Sequence, residues 1–138
     1  MSIRESKLLT PSVSRYRADE NQEVITGWLH GHGMSPSLVH SLPQIGVLAQ
    51  INNIPRAAAF LRLVEGRMGL LDGLIVDPSI RRHERNMAID AAVKGIIHEA
   101  YSINLIRIVA WSSDICTLVR SRKHGFERMK ESLIDLRL

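Results

Sequence analysis

The sequence predicts a mixed α/β fold, a central and mostly antiparallel sheet with helices on both faces. Three observations carry that prediction. Residues 45–76 hold three apolar runs separated only by Asn52-Asn53 and Glu65-Gly66. Residues 74–100 then read as a buried strand, an arginine-rich turn and an amphipathic helix. Ahead of the strands, Val24, Ile25, Trp28 and Leu29 fall on one helical face.

The elements follow in order. Asp19 and Gln22 have capping-box spacing, which predicts a helix starting at Asp19 and stopped by Gly31, Gly33 and Pro36. A short helical piece over Ser37–His40 ends before Pro43. Strands at 45–51 and 54–64 flank two asparagines, residues that tolerate positive φ and so suit a tight hairpin. Glu65-Gly66 turns the chain into a third strand, Met68–Val76, completing an antiparallel meander. Its last triplet, Leu74-Ile75-Val76, is continuously apolar and predicts burial on both faces.

Asp77-Pro78 breaks the strand, and Ile89, Val93, Ile96, Ile97 and Ala100 recur at helical spacing. Residues 103–110 then read as a strand lying parallel to Leu74–Val76 after the helical crossover. Ser113 or Asp114 caps a further predicted helix carrying Ile115, Leu118 and Val119, with Gly125 as its stop. Residues 133–138 read as a closing strand.

Composition narrows the function. A chain of 138 residues has single-domain length, here residues 1–138, and can bury a core without metal or disulfide staples. The one cysteine, Cys116, forms no internal disulfide and reads as a packed thiol in a reducing compartment. No apolar run is long enough to span a bilayer and the first residues hold no signal-peptide core, so the expectation is a soluble cytoplasmic protein. The net charge of +4 favours anionic partners. Its basic residues cluster at Arg81, Arg82, His83 and Arg85, and again at Arg120, Arg122, Lys123 and His124, which suits a small polyanion better than a duplex. Aromatics are too few for a stacking platform on single strands.

Several residues stand where one acetyltransferase family has them. Gly46–Ala49 with the Asn-Asn turn, Leu74–Arg81 with its Pro-x-x-Arg, Asp114 after the fifth strand, and Lys123-His124-Gly125-Phe126 together resemble the GNAT N-acetyltransferases over residues 45–126. The resemblance implies an acetyl-CoA-binding fold. In it, a strand splays from its neighbour and its free backbone groups, at Ile75 and Val76, pair with the amide arm of the cofactor. The pyrophosphate sits on N–H groups at the next helix N-terminus.

The family's usual Arg/Gln-x-x-Gly-x-Gly/Ala loop fits here in two registers. One places Arg81, Glu84 and Asn86 at its three positions, the other His83, Asn86 and Ala88. The second leaves Arg81, Arg82 and Arg85 for the phosphates, beside Asn86, Met87 and Ala88. Neither register has a glycine.

The resemblance also places candidate catalytic groups. Ser121 stands where many members have a general-acid tyrosine, and Asp72 is the candidate base for the incoming ammonium. The alternative reading of Asp72 is a turn or strand-edge carboxylate. Neither Tyr16 nor Tyr101 matches the acid position. Trp111 lines the cleft and Trp28 packs in the core. His30, His32 and His40 lack a metal-ligand pattern and read as loop histidines, and His83 and His124 as surface ones.

Three functions follow. The first is acetyl transfer to a small-molecule or protein amine. The second is a non-catalytic GNAT-like protein with a binding or assembly role, in a homo-oligomer or among virion partner proteins. An Asp-Pro turn and an Arg-x-x-Ala helix start resemble short proteins of tailed bacteriophages, which gives that reading a virion location. The third is a small nucleic-acid-binding module, for which the sequence gives the least support.

Overall fold

The computed structural model describes residues 8–110, 120–129 and 136. Its elements run β1 (Pro11–Arg15), α1 (Ala18–Gly31), a 3-10 helix (Pro36–Ser41), β2 (Ile45–Ile51), β3 (Ile54–Val64), β4 (Met68–Val76), α2 (Arg82–Ser102), β5 (Arg107–Val109) and a 3-10 turn (Arg122–His124). The strands form one sheet in the order β1-β2-β3-β4-β5. The first three neighbouring pairs are antiparallel and β4–β5 is parallel. None of the described helices is long and apolar enough to cross a membrane.

Strand alternation divides the core between the two faces of the sheet. Val47, Ala49, Ile51, Ala57, Ala59, Leu61 and Val76 pack against Ala88, Ala92, Ile96 and Ala100 of α2. Leu48, Ala58 and Phe60 point the other way, onto Ile25, Trp28 and Leu29 of α1 and Val39 of the 3-10 helix. Helices therefore cover both faces. Alanines at 57 and 59 let α2 come close to β3.

Both hairpins form where the sequence predicts them. Asn52 and Asn53 hold φ of 52° and 67°, the backbone of a type I′ turn. Helix α1 starts one residue earlier than expected, and Asp19 does not cap it. Arg17 is the N-cap and lacks a capping side chain. Asn21 Oδ1 instead accepts the Arg17 N–H at 2.8 Å, and Asp19 and Glu20 occupy the first turn, where the helix dipole favours them.

The strand after the crossover runs parallel to β4, as expected, but its length and register differ for one reason, the way α2 ends. Asn104 takes φ 63°, Leu105 N–H reaches the Ala100 carbonyl and Asn104 N–H that of Tyr101. This is a Schellman motif with asparagine in the position glycine usually takes. It uses up Ile103 and Asn104, so the strand predicted over 103–110 is only Arg107–Val109. Ile106 N–H then bonds the Arg67 carbonyl, which seats β5 beside Met68–Leu70 and not beside Leu74–Val76. Leu74 is consequently 38% exposed, and the apolar triplet is not buried on both faces.

The helix expected from Ser113 or Asp114, with Ile115, Cys116, Leu118 and Val119, lies outside the described residues, as does Trp111. Arg120 and Ser121 are helical, and the turn after them ends at Gly125 with φ 90°. Of the closing strand predicted at 133–138 only Leu136 is described, and it is exposed.

Candidate functional site

The site begins where β4 and β5 part. Their pairing covers Met68–Arg107, Gly69–Ile108 and Leu70–Val109 and then stops. Just beyond, β4 bulges. Leu71 faces Leu61 and Leu74 faces Ala59, so Phe60 stands opposite both Asp72 and Gly73. Gly73 has φ 128°, a conformation close to glycine-only. Asp77 N–H donates to the Arg56 carbonyl at 2.8 Å. By alternation the backbone groups of Ile75 also turn to β3, while those of Leu74 and Val76 turn outward, along an edge that no described strand covers beyond Leu70.

One outward group is already engaged. His32, just past α1, bonds the Val76 carbonyl through Nε2 at 2.6 Å, so that nitrogen carries the proton and donates. Gly31 abuts the same turn, since a Cβ there would lie 2.6 Å from Pro78 Cγ. The end of α1 is thus clamped onto the β4–α2 connection.

That connection is built around Asp77. Its Oδ1 accepts the Ser79 N–H and hydroxyl, and its Oδ2 accepts Arg56 Nη1 at 2.6 Å. Arg56 is the extra residue of a bulge in β3, between the pairs Ala49–Ala57 and Gln50–Pro55. Burial pushes the Asp77 carboxyl up, but the Ser79 and Arg56 hydrogen bonds and the Arg56 charge outweigh it and hold it below the ordinary aspartate range.

Helix α2 follows at once. Its N-cap is Arg81, whose side chain makes no capping bond, and the first bond is Arg85 N–H to the Arg81 carbonyl at 2.8 Å. The N–H groups of Arg82, His83 and Glu84 therefore leave the helix end without a helical partner. The side chains of Arg81, Arg82 and Arg85 are exposed there, and among the described residues none forms an ion pair. The other expected members sit further in. Asn86 lies within the helix. Met87 packs against the core, and Ala88 is fully buried in it.

On the α1 side of the fork, Arg62 Nε donates to Asp72 Oδ2 at 2.6 Å and its Nη2 to the Ser41 carbonyl at 3.0 Å. Sequence reasoning named Asp72 and missed Arg62. The signal was available: the Glu65-Gly66 hairpin puts Arg62 opposite Leu70 and diagonal to Asp72. His32 and Leu74 were missed as site residues too.

The second basic cluster is largely engaged within the fold. Asp90 of α2 accepts Arg120 Nη2 at 2.9 Å, Lys123 Nζ at 2.8 Å and His124 Nε2 at 3.1 Å. Arg120, Lys123 and His124 thus fasten residues 120–125 to α2. Burial pushes the Asp90 carboxyl up, but the Lys123 and His124 hydrogen bonds and the charges of Arg120 and Lys123 hold it below its ordinary value. Ser121 lies half-buried at the helix end just before this turn; Asp114 lies outside the described residues. A cavity of about 430 Å³ between the end of α2, β5 and residues 124–129 is lined by His124, Gly125 and Phe126 and by none of the candidate catalytic or cofactor-binding residues. No group of three metal-ligating side chains occurs among the described residues, and His30, His32 and His40 form none.

No protein-family model matches the chain, and no curated protein matches it in sequence. Solved structures match it in shape. The ribosomal-protein-S18-alanine N-acetyltransferase of Escherichia coli superimposes over 88% of this chain and 80% of its own, with a TM-score of 0.71 at 15% identity. An aminoglycoside N-acetyltransferase in complex with CoA covers 97% of this chain and 99% of its own, with a TM-score of 0.66 at 13% identity. A GNAT-family acetyltransferase of Streptococcus pneumoniae covers 93% and 98%, with a TM-score of 0.61 at 14% identity. The chain has the GNAT acyltransferase fold.

Proposed function

We propose that the chain is an acetyl-CoA-dependent N-acetyltransferase that brings thioester and amine together at the β4–β5 fork. The observation that carries this reading is the edge of β4 beyond Leu70, which no described strand covers. It presents the outward backbone groups of Leu74 and the Val76 N–H, and leads directly to an uncapped helix N-terminus beside three exposed arginines. A ligand with an amide-bearing arm and a pyrophosphate fits that series. The amides pair with an open strand edge as another strand would. The phosphates meet free N–H donors, the positive end of the dipole and guanidinium groups.

Acetyl-CoA held there supplies a thioester: its acetyl group passes to nitrogen as the C–S bond breaks, sulfur keeps the electron pair, and the ammonium gives up one proton to sulfur and one to solvent. The chain's residues do the rest. Arg82 and Arg85 hold the phosphates with Arg81 beside them. Asp72 receives the ammonium proton on its free oxygen, directly or through water. Ser121 is the candidate to hydrogen-bond the departing sulfur or to hold a water there. The Asp77–Arg56 pair fixes the turn between edge and helix, and so substitutes for the glycines that loop lacks.

Thermal-shift titration with coenzyme A tests the reading. Coenzyme A is expected to raise the melting temperature, and Arg82→Ala with Arg85→Ala to abolish most of that rise. No shift at millimolar coenzyme A would overturn it. A second reading, a non-catalytic GNAT-fold protein such as a bacteriophage virion component, is favoured by the His32 bond to Val76. That bond already occupies one acceptor on the edge. Copurification with virions and no coenzyme A binding is the result it expects.

A further inference from the structure

We infer that the acceptor is a zwitterion, an amine carrying a carboxylate close by as an α-amino acid does, and not a polyamine or other polycation. The inference rests on the acetyl-transfer reading above and names the acceptor class for that site.

The argument starts from charge along the chain. From Val24 through Val64 there is no aspartate or glutamate. This stretch supplies the C-terminal half of α1, the connection after it and the 3-10 helix, which together wall the α1 side of the fork. Ser41 and Leu42 reach the bulge itself: Ser41 through its carbonyl bond to Arg62, and Leu42 with Cδ2 3.8 Å from where a Gly73 Cβ would stand. The titratable groups this stretch brings are His30, His32, His40, Arg62 and Arg56, the last already committed to Asp77. On α1 the carboxylates Asp19, Glu20 and Glu23 lie in the opposite half from Gly31. A polycation entering the fork would shed water from several ammonium groups and meet, among the described residues of this wall, one carboxylate, itself paired with an arginine. That exchange is unfavourable.

The Arg62–Asp72 pair has the opposite preference. Arg62 spends Nε on Asp72 Oδ2 and Nη2 on the Ser41 carbonyl. Its Nη1 hydrogens and Asp72 Oδ1 have no partner among the described residues. The pair is neutral as a whole, yet it offers one unused cationic donor and one unused anionic acceptor side by side. A zwitterion satisfies both at once, with its ammonium on Asp72 Oδ1 and its carboxylate on Arg62 Nη1, giving four charges of alternating sign. The same contact puts the reacting nitrogen against the proposed base, at the point where β4 and β5 separate.

Three acceptor sets distinguish the outcomes: α-amino acids, their carboxamides and spermidine. Each is titrated calorimetrically onto the protein with and without coenzyme A, and each is tried in a thiol-release assay with acetyl-CoA. The expected result is binding and turnover of amino acids, with carboxamides about tenfold weaker, the loss of one charge-assisted contact. Spermidine should be weaker still. Arg62→Gln should weaken turnover of every acceptor by loosening Asp72, but should raise KM for amino acids about tenfold more than for the carboxamides, while Arg62→Lys restores part of that difference. Preference for spermidine, or equal effects of Arg62→Gln on acids and carboxamides, overturns the zwitterion inference and leaves acetyl transfer standing. Absence of coenzyme A binding overturns acetyl transfer, while the calorimetry on the protein alone still decides whether the pair prefers zwitterions.

Discussion

Asp90 gathers Arg120, Lys123 and His124 from a segment some thirty residues away, and its chemistry makes a pH prediction. Its carboxyl is held below the ordinary aspartate value in the folded chain. Such a group adds stability that is fully present above the unfolded pKa, about 3.9, and is lost as pH falls through the lower folded value. Asp90→Asn is expected to cost about 1–2 kcal/mol at pH 7, because Arg120 and His124 lose a charged acceptor while exposed Lys123 loses little. The gap between parent and variant should close as pH drops below about 4. Denaturant melts at pH 7 and pH 3.5 measure it, and an undiminished gap at the lower pH would mean that Asp90 acts by packing. None of these partnerships was legible in the sequence, where Lys123 and His124 read as an exposed basic cluster. Nothing local marks an aspartate as the counter-charge of residues that far along the chain. His32 is the same case, since its Val76 partner lies 44 positions on.

Elements were far more legible than contacts, and the two hairpins show why. Their strand limits at 45–51, 54–64 and 68–76 depend on alternation and turn chemistry, both of which are local. The asparagines of the first turn still differ. Asn52 Oδ1 accepts the Thr10 N–H at 2.8 Å and so ties the turn to the start of β1, whereas Asn53 contributes its positive φ. Asn53→Gly is therefore expected to be neutral or to stabilise by up to about 1 kcal/mol, and Asn52→Gly to destabilise by a similar amount. Thermal melts of the two variants check this, and equal effects would contradict it. The β4 bulge was not legible, because Gly73 reads like any strand glycine until its register is known. Alanine there must adopt φ 128° and bring a Cβ within 3.3 Å of Phe60, at a cost of about 1–3 kcal/mol. Gly73→Ala should also disturb Asp72, so acetyl transfer is expected to fall more than coenzyme A affinity. Loss of both in proportion would place the bulge in the scaffold alone.

Across the whole molecule, the β4–α2 connection joins two regions with different tasks. On one side stand the open edge of β4 and the arginines of α2. On the other, the end of α1 presses Gly31 against Pro78 and hands a hydrogen bond from His32 to Val76. A ligand on that edge and helix N-terminus is therefore expected to be felt by the end of α1, which walls the proposed acceptor side. Hydrogen exchange makes this measurable, since amides exchange through local opening and a ligand that binds the closed form slows them. Coenzyme A is expected to protect residues 74–86 directly and residues 29–34 through the clamp, while β1, at the far edge of the sheet, is unaffected. His32→Ala should cut the protection at 29–34 while largely keeping that at 82–86. If 29–34 stay protected in the variant, Gly31 and Pro78 suffice to carry the coupling. If they are unprotected in the parent, the two sides of the fork respond to their ligands independently.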